Sequence, residues 1–153
     1  MKVVIIGGVA AGMSAASKLR RLQKHVEIVA YEKGGDLSYG ACGMPYHLSG
    51  VIPKESSLVA RTVDDFKQQD ITVHTFHTVK QVLPASKTLV IEHQNKTFED
   101  HYDVLIVASG ASAIRLPIPG RELENIHVLN SLEDTRQLKA KLQMAHKIAI
   151  IGD

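Results

Sequence analysis

Lys2-Val3-Val4-Ile5-Ile6-Gly7-Gly8-Val9-Ala10-Ala11-Gly12 decides the fold of this chain. Val3 to Ile6 is a continuous β-branched run, the pattern of a strand buried on both faces in a parallel sheet. It stops at paired glycines. Ala10 to Gln23 then has the composition of a helix, rich in Ala, Met, Lys, Leu and Arg. Val26 to Tyr31 is a second apolar run. Strand, glycine turn, helix, strand makes one βαβ unit, with a right-handed crossover expected.

The turn carries chemistry. Gly7 lets the chain reverse tightly, and small side chains from Gly8 to Ala11 let the backbone approach a pyrophosphate. Gly12 lets helix and strand pack closely, and the helix N-terminus offers free N–H groups at the positive end of its dipole. The usual middle glycine is Val9 here. Glu32 stands at the end of the second strand, where a carboxylate can accept both ribose hydroxyls of an adenine nucleotide. Such a carboxylate repels a 2′-phosphate, so FAD or NAD is favoured over NADP. The other meaning of Glu32 is a strand-end charge facing water.

Further along, Gly34 to Gly50 is rich in glycine and small residues. A short helix is expected over Val63 to Gln69, with Thr62 as N-cap and Asp65 at the third helical position. Strands follow at Thr72–Phe76, Thr78–Leu83, Thr88–His93 and Lys96–His101, the middle ones as an antiparallel meander. Val104 to Ala108 is another apolar run and is expected as a central strand. Pro117, Pro119 and Gly120 mark a linker. Ser131 caps a helix to about Met144, with Glu133 and Asp134 in its first turn. Lys147 to Ile151 repeats the opening pattern of lysine, apolar strand and glycine, so a second nucleotide-binding unit is expected to begin there and to be truncated. The expected fold is α/β: a Rossmann-like βαβ domain with an antiparallel meander over residues 1–114, a linker over 115–125, and the start of a second domain over 126–153.

Composition narrows the function. The chain has 153 residues, 44% hydrophobic and 22% charged, with a net charge of +2. That is a globular balance with no general basic field for nucleic acid. No apolar run reaches the roughly 18 residues that span a bilayer, and a cytoplasmic location is expected. His74 and His77 are expected on opposite faces of one strand, which argues against a shared metal. With one cysteine, Cys42, neither an internal disulfide nor a cysteine-based zinc site can form.

Asp36-Leu37-Ser38-Tyr39-Gly40-Ala41-Cys42-Gly43-Met44-Pro45-Tyr46 surrounds that cysteine. A lone cytosolic cysteine is commonly buried and inert. Here glycines lie two residues before and one after, giving the backbone freedom that suits close approach of a flat ligand. A short helix is expected to start near Cys42. Without a resolving cysteine, redox work at Cys42 must pass through a sulfenic acid or a mixed disulfide with an outside thiol.

The glycine turn, Met13 to Arg21, Glu32-Lys33, Ser38 to Tyr46, and Tyr102 to Gly110 occur in the order of the pyridine nucleotide-disulfide oxidoreductases, and the chain resembles their single-cysteine branch. That branch holds coenzyme A-disulfide reductases, persulfide reductases, NADH oxidases and NADH peroxidases. The resemblance implies that Gly7, Gly8, Val9, Ala10, Ala11, Gly12, Glu32 and Lys33 hold the ADP part of FAD, that Ser109 and Gly110 pass near it again, and that Cys42 is the redox centre. It implies that Ser14, Lys18, Arg21 and Ser38 contact coenzyme A. Lys18 and Arg21 lie at i,i+3 on a helix, a spacing suited to phosphates.

Two departures bear on the substrate. Ala41 stands where the coenzyme A-disulfide reductases often have asparagine. Ala10 stands where oxidases and peroxidases typically carry a histidine, which favours reduction of coenzyme A disulfide or a related small disulfide or persulfide. NAD(P)H is the implied electron donor and a homodimer the implied full-length assembly. The competing readings are an NADH oxidase or peroxidase using a Cys42 sulfenate, and a non-catalytic nucleotide-binding fragment.

Overall fold

The computed structural model describes residues 1–151, so the expected turn at Gly152 lies outside the described residues. In chain order the elements are β1 (Lys2–Ile6), α1 (Ala10–Leu22), β2 (Glu27–Tyr31), α2 (Met44–Leu48), α3 (Val63–Lys67), β3 (Ile71–His74), β4 (Thr78–Leu83), β5 (Thr88–His93), β6 (Lys96–His101), β7 (Val104–Val107) and α4 (Leu132–Leu142). They fall into two compact units. Residues 1–40 and 59–110 form the first; residues 41–58 group with the segment from 111 onward as the second. The segment carrying Cys42 was expected with the first domain.

In the first unit, β3, β2, β1 and β7 form a parallel sheet in that order, with Val4 opposite Val29 and Leu105. The opening run is buried on both faces, as its composition requires. Val3 and Ile5 pack with Met13 and Ala16 of α1 and Phe66 of α3. Val4 packs on the other face with Val29, Tyr31, Leu89 and Ile91. Each fully buried aliphatic side chain contributes about 1.5–3 kcal/mol of transfer free energy. Truncating Ile5 to alanine therefore costs roughly 2–5 kcal/mol once the cavity is included.

α1 ends where Gln23 turns extended. Arg20 donates there to the carbonyls of Gln23 and Lys24, just past the helix end, and of Asp70, just before β3. α3 opens with Thr62 and Asp65 in a reciprocal capping box. β4, β5 and β6 form the expected antiparallel meander. Gln94 and Asn95, both at positive φ, make its second turn.

Three local expectations need correction. Val104–Val107 is an edge strand among the described residues, paired only with β1, and Val107 is 65% exposed. β3 stops at His74, because Phe76 takes a left-handed conformation and turns the chain. Lys147–Ile151 forms no strand: Ile148, Ile150 and Ile151 are exposed and find no pairing partner among the described residues.

In the second unit, Ala41–Gly43 makes a tight 3-10 turn leading into α2. α4 starts at Ser131, whose capping box with Asp134 repeats the Thr62 arrangement. α2 and α4 pack together, and Lys139 Nζ lies 2.9 Å from His47 Nε2. Arg136 pairs with Glu55 at 2.7 Å.

Candidate nucleotide site and reactive cysteine

Gly7 sits at φ +107°, a conformation that a side chain disfavours, and a Cβ there would stand 2.1 Å from Ala108 O. A Cβ on Gly12 would stand 1.9 Å from Gly7 O. The turn therefore closes only without side chains at these two positions. It leads into an α1 N-terminus with no side-chain cap and no acidic residue in its first turn. The first N–H groups of that helix are thus available to an anion.

Glu32 is buried and faces inward to this turn, not to water. Its Oε2 accepts from the Gly8 amide at 2.6 Å and its Oε1 from the Gly34 amide at 2.8 Å. A carboxylate oxygen has a second lone-pair site, so both can still accept a hydroxyl. The glycine cradle, the uncapped helix end and the carboxylate together fit the ADP part of a dinucleotide cofactor. The close passage of Ala108 beside Gly7 brings the Ser109 backbone to the same turn, with Gly110 next in the chain. Lys33 is exposed next to Glu32.

A cavity of about 420 Å³ opens beside this turn. One wall is a stripe of α1 that includes Ser14, Ser17 and Arg21; another is Ser38 to Gly40; Ala60, Arg61 and Phe66 close it. Three of the four residues assigned to coenzyme A by resemblance, Ser14, Arg21 and Ser38, thus share one cavity. Lys18 does not line it, because it falls outside the stripe at 10, 13, 14, 17 and 21. Ser17 lies on the same stripe, three residues after Ser14, a relation visible in the sequence spacing. Arg61 carried no sequence signal, since its position depends on the bridge between Tyr39 and Val59.

Cys42 lies in the second unit, on the 3-10 turn before α2, as an exposed free thiol. The commonplace fate of a lone cysteine, burial, does not apply. The adjacent Gly43 has an ordinary helical φ of −82°. A Cβ there would meet Leu58 Cδ2 at 2.4 Å, so a side chain at this position would have to displace that methyl group.

His74 and His77 do not lie on opposite faces. The turn after β3 brings their rings to 5.1 Å, Tyr31 stacks on His74 at 5.2 Å, and His93 stacks on His77 at 4.0 Å. Burial, then the neighbouring His77, holds the His74 imidazole below its usual value. No group of three or more His, Cys, Asp or Glu among the described residues is arranged to hold a metal ion.

The sequence profile of the pyridine nucleotide-disulphide oxidoreductases matches residues 1–153. The chain belongs to this family. Among members of the family, the coenzyme A disulfide reductase of Staphylococcus epidermidis is 39% identical over 140 residues, which cover 90% of this chain and 31% of that protein. The solved structure of reduced Bacillus anthracis CoADR-RHD superposes with a TM-score of 0.89 at 36% identity, covering 93% of this chain and 26% of that one. A NAD-dependent persulfide reductase from A. fulgidus gives 0.90 at 34% identity, covering 94% and 27%. The chain therefore spans about a third or less of the length of these oxidoreductases. No helix among its described residues is long and apolar enough to cross a membrane.

Proposed function

We propose that this chain is the FAD-binding and cysteine-bearing part of a reductase that uses NAD(P)H to reduce coenzyme A disulfide or a related low-molecular-weight disulfide or persulfide. The observation that carries this reading is the cavity shared by Ser14, Arg21 and Ser38 beside the glycine turn. It presents a cation and hydroxyls, which suit the phosphates of a thiol-bearing nucleotide. The names of the related proteins, a coenzyme A disulfide reductase and a persulfide reductase, support the same class.

Residues 7–12, Glu32, Lys33, Ser109 and Gly110 would hold FAD. The helix N–H groups take the pyrophosphate and Glu32 takes the ribose hydroxyls. Bound flavin would supply the redox relay that passes an electron pair from NAD(P)H to sulfur. Cys42, as thiolate, attacks one sulfur of the substrate disulfide. The S–S bond breaks, one thiol leaves with the bonding electron pair and takes up a proton, and Cys42 is left in a mixed disulfide. Reduction of that mixed disulfide by an electron pair, with one proton taken up, would release the second thiol and restore the Cys42 thiolate. Catalysis as a whole belongs to the full-length protein, for which we propose a homodimer in the cytoplasm.

The test is an absorption spectrum of the purified chain with added FAD, followed by exposure of Cys42 to coenzyme A disulfide. A flavin band that survives gel filtration, and a mass increase of one coenzyme A that is absent in Cys42→Ser, are expected. Absence of the flavin band or of the adduct would overturn the reading. In the full-length protein, NADH consumption that follows oxygen or peroxide in place of disulfide would shift it to an oxidase or peroxidase.

A further inference from the structure

Arg61 is held at the cavity by the chain on either side of it. The Ala60 amide donates to Ser38 O at 2.8 Å, and Val59 bridges to Tyr39. This fixes the Arg61 backbone beside Ser38. Its Nη1 donates to Ser17 Oγ at 3.3 Å and to Gln69 Oε1 at 3.3 Å, and its guanidinium lies 5.9 Å from the Phe66 ring centre. Both hydrogen-bond partners are neutral. Among the described residues no carboxylate forms an ion pair with Arg61, and none does so with Arg21 across the same cavity. A guanidinium has five N–H donors, so Arg61 retains donors for a further acceptor.

Two arginines without an ion-pair partner on one cavity, with hydroxyls from Ser14, Ser17 and Ser38 between them, are matched by a polyanion. Arg20, one residue from Arg21, differs in where its donors go: both of its Nη atoms are engaged by three backbone carbonyls outside the cavity. Arg61 is held in place by neutral hydrogen-bond partners; the Asp65 carboxylate feels its charge but forms no ion pair with it.

We propose that Arg61 is a specificity-determining residue that binds the phosphate groups of the substrate, and so selects a phosphorylated thiol over one with the same sulfur end but no phosphate. This rests on the proposed function and deepens it. The Ser17 and Gln69 bonds and the Phe66 ring hold the guanidinium ready. A planar fork can then meet a phosphate with two parallel hydrogen bonds. Lysine at this position keeps the charge and loses the fork.

The test is calorimetric titration of the whole chain and of Arg61→Gln and Arg61→Lys with three probes: coenzyme A, pantetheine, and inorganic pyrophosphate. The wild-type chain is expected to bind coenzyme A more tightly than pantetheine. Arg61→Gln should weaken coenzyme A and pyrophosphate by roughly ten- to a hundredfold and leave pantetheine unchanged. Arg61→Lys should fall between. The side chain is exposed, so both variants should melt with the wild type; if Arg61→Gln does not fold, Arg61→Lys against wild type decides. Coenzyme A binding that is equal in wild type and Arg61→Gln overturns the role of Arg61 and leaves the proposed function standing. Loss of pyrophosphate binding in Arg61→Gln, in a chain that forms no Cys42 adduct with coenzyme A disulfide, supports the anion site and removes the proposed function. No binding of any probe by the wild-type chain overturns both.

Discussion

The Gly8 amide donates to Glu32 Oε2 at 2.6 Å, and this bond joins the glycine turn to the end of β2. Glu32 therefore does two jobs. It holds the glycine turn in shape, and its oxygens keep lone pairs with which to accept further hydrogen bonds. Gly34 ties down the other oxygen, so the carboxylate has little rotational freedom.

Glu32→Ala should expose both jobs at once. Two amides lose a charged acceptor, a change that typically costs about 1.5–3 kcal/mol per hydrogen bond to a charged group. We expect the melting temperature to fall, and flavin binding to fall with it. Glu32→Gln keeps one acceptor oxygen and should retain more stability than flavin affinity. Denaturant unfolding and flavin absorbance, measured on the same samples, separate the two effects. Equal stability in Glu32→Ala and wild type would show that the latch does not matter to the fold.

Gly12→Ala tests the closeness of the turn. Its methyl would meet backbone oxygen at 1.9 Å, and backbone cannot swing aside as a flexible side chain can. A loss of about 3 kcal/mol or more is expected, at the upper end of overpacking. Gly50→Ala is the control: a Cβ there meets nothing within 4 Å, although its positive φ still carries a modest strain. Urea midpoints for the two should differ widely.

The cluster around His74 predicts acid sensitivity. Burial and His77, with smaller contributions from Lys2 and His93, hold the His74 imidazole below 6.5, against an opposing pull from Asp100. The unfolded chain then takes up the proton first as pH falls. The stability held by neutral His74 is complete above about pH 6.5 and is lost as pH drops below it. His74→Phe keeps a ring against Tyr31 and should flatten this part of the profile. A second decline should start near pH 3.8. Burial opposes ionisation of Asp100, but hydrogen bonds from Lys2 and Tyr31 outweigh it and keep the carboxylate charged. Unfolding free energies between pH 3 and 8 check both limbs.

Cys42→Ser should leave stability within about 0.5 kcal/mol of wild type, because the thiol is exposed and free. It should abolish reaction with a chromogenic disulfide, which wild type should titrate at one equivalent. Slow or substoichiometric reaction of the native chain, with full reaction after denaturation, would contradict the exposure seen here. Gly43→Ala should behave in the opposite way: loss of stability through Leu58, with the thiol still reactive.

What the sequence made legible was local. The βαβ unit follows from two apolar runs around a glycine turn. The capping boxes at Thr62 and Ser131 follow from a hydroxyl three residues before an aspartate. Glu32 was placed by its spacing from the turn. Most features that depart from expectation depend on pairing between distant segments, the turn at Thr75-Phe76 being a local exception. Val104–Val107 reads as a buried strand, and its apolar run cannot say how many neighbours it has. Lys147–Ile151 has strand composition but no partner among the described residues. Thr75-Phe76 hides a turn that draws His77 onto His74. Arg61 reaches the cavity through the Tyr39–Val59 bridge, which no local pattern announces.

β1 lies between β2 and β7, and its two sides are completed at very different times. β2 follows within about 25 residues, whereas β7 is roughly a hundred residues further along the chain. During synthesis at about 5–20 residues per second, the β7 side of β1 waits on the order of 5–20 s for its partner. For that interval the nascent chain carries an unpaired apolar strand edge, open to wrong partners. The pairing that places Ser109 beside Gly7 thus cannot complete the glycine turn until β7 has been made.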